Sequence, residues 1–180
     1  MVMGHYATAL IPYAYESNRR MAPFFVFLIL TQILDFIMIV LVSLGIESIE
    51  PHSFMHASFA NMKVDMTYSH DILPVIVITL LVAGITAALF RNWVMGLWAA
   101  GLIVLHELMD LLVGFEHYWF GPGETTFGLG LYTKLPVLGI TIELVFCAGL
   151  LAWYLKRREA DGHRLSGGAK TTLVVVLLGF

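Results

Sequence analysis

Residues 101–121 read GLIVLHELMDLLVGFEHYWFG. The apolar run places His106 and Asp110 four residues apart, which on a helix is a single face. An ionisable side chain at membrane depth is costly and faces a cavity or a partner, so a histidine and a carboxylate together there mark a candidate functional site. The remainder of the chain is read as scaffold and as further ligands for that pair.

The composition around this stretch sets the class. Of 180 residues, 59% are hydrophobic and only 13% charged, with a mean hydropathy of +0.83. Water-soluble domains run at about 45–50% apolar and about 25% charged, so both departures point to lipid. The expectation is an integral membrane protein, residues 1–180 forming one transmembrane domain. The formal net charge of −3 comes with no basic patch interleaved with aromatics, which excludes nucleic acid as a partner. Cys147 is the single cysteine and allows no intrachain disulfide.

Apolar periodicity predicts an all-α, polytopic transmembrane helical bundle. Four full spans are expected, over about 24–46, 70–90, 93–114 and 135–155, each near the 20 residues a bilayer requires. Residues 3–15 are too short to cross and read as an N-terminal half-span, and 171–180 as a short C-terminal apolar segment. The N-terminus lacks the charged region that precedes a secretory signal, so no cleaved signal peptide is expected. Ser69 reads as an N-cap of the second span, and Arg91-Asn92 as a tight turn making spans two and three antiparallel neighbours.

Arg19, Arg20, Arg91, Lys156, Arg157, Arg158, Arg164 and Lys170 fall on one side, against Lys63 and Lys134 on the other. The positive-inside rule places the former in the cytoplasm and the two long loops, 47–69 and 115–134, outside. Depth can then be counted. Asp35 lies twelve residues above Pro23, His106 thirteen above Trp93 and Glu143 twelve above Leu155. At about 1.5 Å per residue they share one layer. His5 joins it if the half-span runs antiparallel to span one, while Asp110 and His70 sit one to two turns further out. A polar pocket is expected in the outer half of the bundle.

Neutral imidazoles with carboxylates and no thiolates form the ligand set of zinc, and also of manganese or iron. The metal ligands predicted are His5, Asp35, His70, His106 and Asp110. Glu143, Asp71 and Glu107 are the candidate catalytic carboxyls, as general base or as partners holding a histidine tautomer; Gln32 is a weaker candidate partner. Each such residue also has a plainer reading as a hydrogen-bonding tie between helices. His52, His56 and His163 read as ordinary loop histidines, Glu116 and His117 as solvated residues at the pocket mouth, and Tyr118, Trp119 and Phe120 as an interfacial belt.

GHY at 4–6, Gln32-x-x-Asp35, LGIE at 44–47, YSH at 68–70, His106-x-x-x-Asp110 and GLGLY at 128–132 occur in an order that resembles a family of small uncharacterised bacterial membrane proteins, hypothetical or permease-like. That family is similar in turn to inner-membrane metal-dependent-hydrolase-like proteins. The resemblance implies a metal-dependent hydrolase of the bacterial inner membrane, with His5, Asp35, His70, His106 and Asp110 at the matching positions. Two departures stand out: His70-Asp71 where the family has His-Ser, and His106-Glu107 where it has His-Trp. The function expected is hydrolysis of a lipid-borne ester or phosphoester at the outer side, with membrane lipid as partner. The alternatives are a non-enzymatic accessory or assembly subunit with protein partners in a membrane complex, and a proton or metal-ion carrier.

Overall fold

The computed structural model describes residues 2–16, 21–51, 58, 61–123 and 125–178. The expectations for His52, His56, Arg19 and Arg20 lie outside these. The described chain is mostly helical: α1 (Val2–Thr8), α2 (Leu10–Ala14), α3 (Met21–Thr31), α4 (Ile33–Ser43), α5 (Ile72–Phe90), α6 (Trp93–Val113), α7 (Leu131–Lys134), α8 (Pro136–Ala160) and α9 (Gly167–Leu178). Between α4 and α5 lie two short strands, β1 (Ser48–Glu50) and β2 (Lys63–Asp65), paired antiparallel with Ile49 opposite Val64. The hairpin was not expected, since three residues each carry too little alternation to read as strands.

Three helices, α5, α6 and α8, are long and apolar enough to cross a membrane, and α3 with α4 makes a fourth if the bent pair is one span. This is the build of an integral membrane protein. Helix α5 buries Val75 with two threonines, Thr79 and Thr86, while Leu80, Leu81, Ile85 and Leu89 are exposed, Leu89 by 76%. Such a pattern is costly in water and favourable in hydrocarbon. Helices α5 and α6 pack the most extensively, and they do so through small residues. A Cβ added at Gly96 would lie 2.7 Å from the Ala83 carbonyl oxygen and 2.8 Å from the Ala87 Cβ, so only glycine permits this approach.

Two segments expected to be continuous are broken. The N-terminal half-span divides at Ala9, because Pro12 has no N–H to return to the carbonyl of Thr8. The first full span bends by 56° at Gln32, without proline or glycine. There the Thr31 hydroxyl donates back to the Leu28 carbonyl at 2.8 Å, and the Thr31 carbonyl accepts from the Nδ1 of His106 at 2.7 Å. A carbonyl turned to another helix leaves the i→i−4 ladder, and the helix kinks at that point. Helix α8 runs to Ala160, beyond the expected 155, and α9 begins at Gly167 rather than 171.

The ends of α4, α6 and the starts of α5 and α8 share one end of the bundle with the β-hairpin; Arg91 and Arg157 mark the other. Toward the arginine end the interior is closed by Leu10, Phe27, Ala99, Leu102, Cys147 and Leu151. Arg157 lies over the ring of Tyr15 at 4.3 Å, which ties the exit of α2 to α8.

Candidate metal centre

The five residues predicted as metal ligands meet. His5 comes from α1, Asp35 from α4 just past the bend, His70 from the turn before α5, and His106 and Asp110 from one face of α6. The Nε2 of His5 lies 3.2 Å from Asp110 Oδ1, and that of His106 3.4 Å from Asp110 Oδ2. The Nε2 of His70 is 3.5 Å from Asp35 Oδ1 and 4.0 Å from Asp110 Oδ2, while that of His106 is 4.0 Å from Asp35 Oδ1. The rings of His5 and His106 are stacked, 3.5 Å apart and 8° from parallel. All three histidines are buried, whereas the side chain of Asp35 remains 21% exposed. The expected step in depth between His70 and Asp35 is thus bridged by the side chains.

Two trios present donor atoms within 4.8 Å of one another: His5, Asp35 and His106, and His70, His106 and Asp110. His106 belongs to both, so they are overlapping views of one centre. Nitrogen and oxygen ligands bound at about 2.0–2.2 Å around a tetrahedral ion stand roughly 3.4 Å apart. The spacings fit.

The outer hydrogen bonds fix which nitrogen faces inward. The Thr31 carbonyl can only accept, so His106 carries a proton on Nδ1 and turns its Nε2 toward two carboxylates. That Nε2 is buried with no hydrogen-bond partner. For His70 the Nδ1 meets the Ser69 hydroxyl at 2.8 Å, and that hydroxyl lies 2.9 and 3.0 Å from the two oxygens of Glu47. Glu47, itself buried, also accepts from the backbone N–H groups of Tyr68 and Ser69, each at 2.8 Å. An acceptor lone pair set against carboxylate oxygens is repulsive unless a proton or a cation stands between them. One proton relieves one such pair, and a divalent cation relieves all of them. Buried His and Asp groups of this kind could hold a metal ion.

The carboxyls predicted as catalytic are placed around the centre and engaged elsewhere. Glu143 accepts from the Gly4 N–H at 3.0 Å and the Tyr132 hydroxyl at 2.6 Å, fixing the N-terminal segment against α8. Asp71 accepts from the backbone N–H groups of Tyr118 at 2.8 Å and Gly121 at 2.5 Å. Ser69 is not the N-cap expected for α5. Asp71 holds that position without a side-chain capping bond, and the free N–H groups of Ile72 and Leu73 donate instead to the carbonyls of Tyr118 and Trp119. Glu107 points to His117, with its Oε1 3.0 Å from Nδ1. Gln32, a candidate partner, is buried at the bend.

His117 is not the solvated loop residue expected: it is 1% exposed. Its Nδ1 donates to the His70 carbonyl at 2.7 Å, and its Nε2 is buried without a partner. Burial disfavours its charged form, but the Glu107 carboxylate outweighs this and holds its pKa above the usual histidine value. The sequence signal for it was Glu107, a carboxyl in an apolar helix that needed a partner. With His70, Asp35, Asp110 and Tyr132, His117 lines a cavity of about 130 Å³ beneath the hairpin, walled by Met38, Met62 and Met66 among others. A larger groove of about 360 Å³ between α5 and α6 is almost wholly apolar and lies outside the histidine cluster. Compared with known proteins, no family model matches the chain, and no curated protein or solved structure matches it.

Proposed function

We propose that the chain is a membrane-embedded, metal-dependent hydrolase acting on a lipid-borne ester or phosphoester. The observation that carries the reading is the Nε2 of His106, turned by the Nδ1 bond to the Thr31 carbonyl toward the carboxylates of Asp35 and Asp110. His70, His106, Asp35 and Asp110 would hold the metal. His5 either joins them or, through its contact to Asp110 Oδ1, orients that carboxylate from behind. Zinc is the favoured ion, with manganese or iron as alternatives for a set of nitrogens and carboxylates.

A divalent cation there supplies Lewis acidity and acidifies water at the site. The protein supplies the rest. Ser69 and Thr31 fix the two inward nitrogens, the hairpin roofs the cavity, and Asp35, which meets His70 and His106 through Oδ1, would take a proton from water on its other oxygen. The basic residues at the end remote from the hairpin support a cytoplasmic placement for that end, with the site toward the outer side of a bacterial inner membrane. A carrier is disfavoured by the layer from Leu10 to Leu151 between the centre and the arginine end, in which the described core residues are apolar apart from the hydroxyls of Tyr13 and Tyr154.

The test is metal content by plasma mass spectrometry on detergent-purified protein, followed by product release from long-chain esters and phosphoesters. The reading expects about one metal per chain, lost in His106→Ala and in Asp35→Ala. A metal-free wild type beside folded variants overturns it. A stoichiometric protein partner in the same preparation would instead favour an accessory subunit.

A further inference from the structure

The cavity over the histidine cluster has two unlike surfaces. Asp35, His70 and Asp110 form its polar floor, and Met38, Met62, Met66, Ile49 and Phe115 give it an apolar wall. Thioether and aliphatic walls adapt to a flexible hydrocarbon chain. Among the described residues no lysine or arginine lines the cavity, and Lys134, at the same end of the bundle, is paired with Glu116.

Behind the floor stand three more buried carboxyls. Glu47 backs Ser69, Glu107 backs His117, and Glu143 holds Gly4 beside His5. Asp35, Asp110, Glu47, Glu107 and Glu143 are five carboxyls. None of them faces a lysine or arginine on the cavity wall among the described residues. An anionic headgroup would meet carboxyl oxygens there and no fixed positive charge, which is unfavourable in a medium of low dielectric constant. The remaining polar atom on the wall is the Nε2 of His117, buried and without a partner. One hydroxyl, which can donate or accept, would satisfy it, and leaving it unsatisfied is costly.

We propose that this cavity takes an uncharged long-chain ester whose polar headgroup meets the Nε2 of His117, in preference to an anionic phosphoester. The proposal narrows the substrate of the hydrolase reading and rests on it for the reaction, though not for the binding preference. On such a lipid the oxygen of water bonds to the acyl carbon and the acyl–alkoxy bond breaks. One proton passes to the leaving alcohol, and the other leaves the carboxylic acid for solvent.

Binding of 1-monooleoylglycerol and of 1-oleoyl-lysophosphatidate to the full chain in neutral detergent, followed by native mass spectrometry with and without added zinc, tests it. The glycerol ester should bind at least about tenfold more tightly, and His117→Phe should weaken that binding roughly five- to tenfold while leaving metal content unchanged. His117→Gln, which keeps a polar atom, should lose less and guards against a misfolded phenylalanine variant. Equal or tighter binding of the lysophosphatidate by wild type, or a folded His117→Phe with unaltered binding, overturns the proposal. Absence of metal, or of ester cleavage, with the neutral preference intact overturns the hydrolase reading and leaves the cavity's preference standing.

Discussion

Replacing Ser69 by alanine removes one hydroxyl and reaches the candidate metal centre only through His70. In the native chain that hydroxyl meets His70 Nδ1 at 2.8 Å and stands at 2.9 and 3.0 Å from the oxygens of Glu47. Glu47 keeps the backbone N–H groups of Tyr68 and Ser69 after the change, so the turn before α5 retains its anchor. His70 loses the group that holds its proton on Nδ1, and Ser69 is fully buried, leaving water little room to substitute. Loss of such an outer partner lowers metal affinity by about 10- to 100-fold, which is roughly 1.4–2.8 kcal/mol at about 1.4 kcal/mol per tenfold. The assay is competition for zinc against a chromophoric chelator, using detergent-purified protein whose melting temperature is recorded alongside. His163→Ala, altering an exposed histidine, should leave affinity within about twofold and serves as control. A Ser69→Ala protein that folds and binds zinc within about twofold of wild type would refute the assignment of Ser69 and Glu47 as the device that sets the His70 tautomer.

Other perturbations probe the scaffold and the ion. Gly96→Ala forces a Cβ to 2.7 Å from the Ala83 carbonyl oxygen, so it should destabilise the α5–α6 pair by about 1–3 kcal/mol. Gly84→Ala, with nothing within 4 Å, should be neutral, and thermal melts in detergent compare the two. Glu143→Ala strips the acceptor from Gly4 N–H and the Tyr132 hydroxyl; limited proteolysis should then cut within residues 1–16 faster than in wild type. Zinc at about 100 times its dissociation constant should raise stability by about 2.7 kcal/mol, and EDTA should reverse it; an unchanged melting temperature argues against a native-state ion. The Glu107–His117 pair raises the histidine pKa in the folded chain. Its contribution to the metal-free protein is therefore complete below about pH 6.5 and fades as pH rises through the folded-state value. Glu107→Gln should flatten the melting temperature between pH 5.5 and 8.5, and parallel wild-type and variant curves would contradict the pairing.

The membrane-length helices and the meeting of the His and Asp side chains were legible because each rests on a simple count. Length and apolarity mark α5, α6 and α8, and distance from the arginine end brings Asp35 and His106 to similar depth. The depth count set His70 one to two turns further out and left its contact with Asp35 unseen, because counting backbone rise ignores the reach of a side chain standing on the turn before a helix. The bend at Gln32 was hidden for another reason. Its cause is a carbonyl–imidazole bond between residues 75 apart, and local sequence holds no proline or glycine to announce it. His117 was misread as solvated because its neighbours, Tyr118, Trp119 and Phe120, look interfacial; only the unexplained carboxyl of Glu107 pointed to it. Asp71 read as chemistry and is occupied by two backbone N–H groups of the 115–130 loop, a use that depends wholly on where that loop folds.

The Thr31–His106 bond makes the shape of the first span and the identity of a candidate ligand one property. In lipid a carbonyl cannot be left without a donor, so a chain of this type with alanine or leucine at position 106 should have a straight first span, its Thr31 carbonyl returned to the helix ladder. Straightening would carry Asp35 away from Asp110. Loss of the histidine should therefore be accompanied by drift at Asp35, and a functional revertant of a His106 variant is to be sought among residues 28–36, where the helix decides whether to bend.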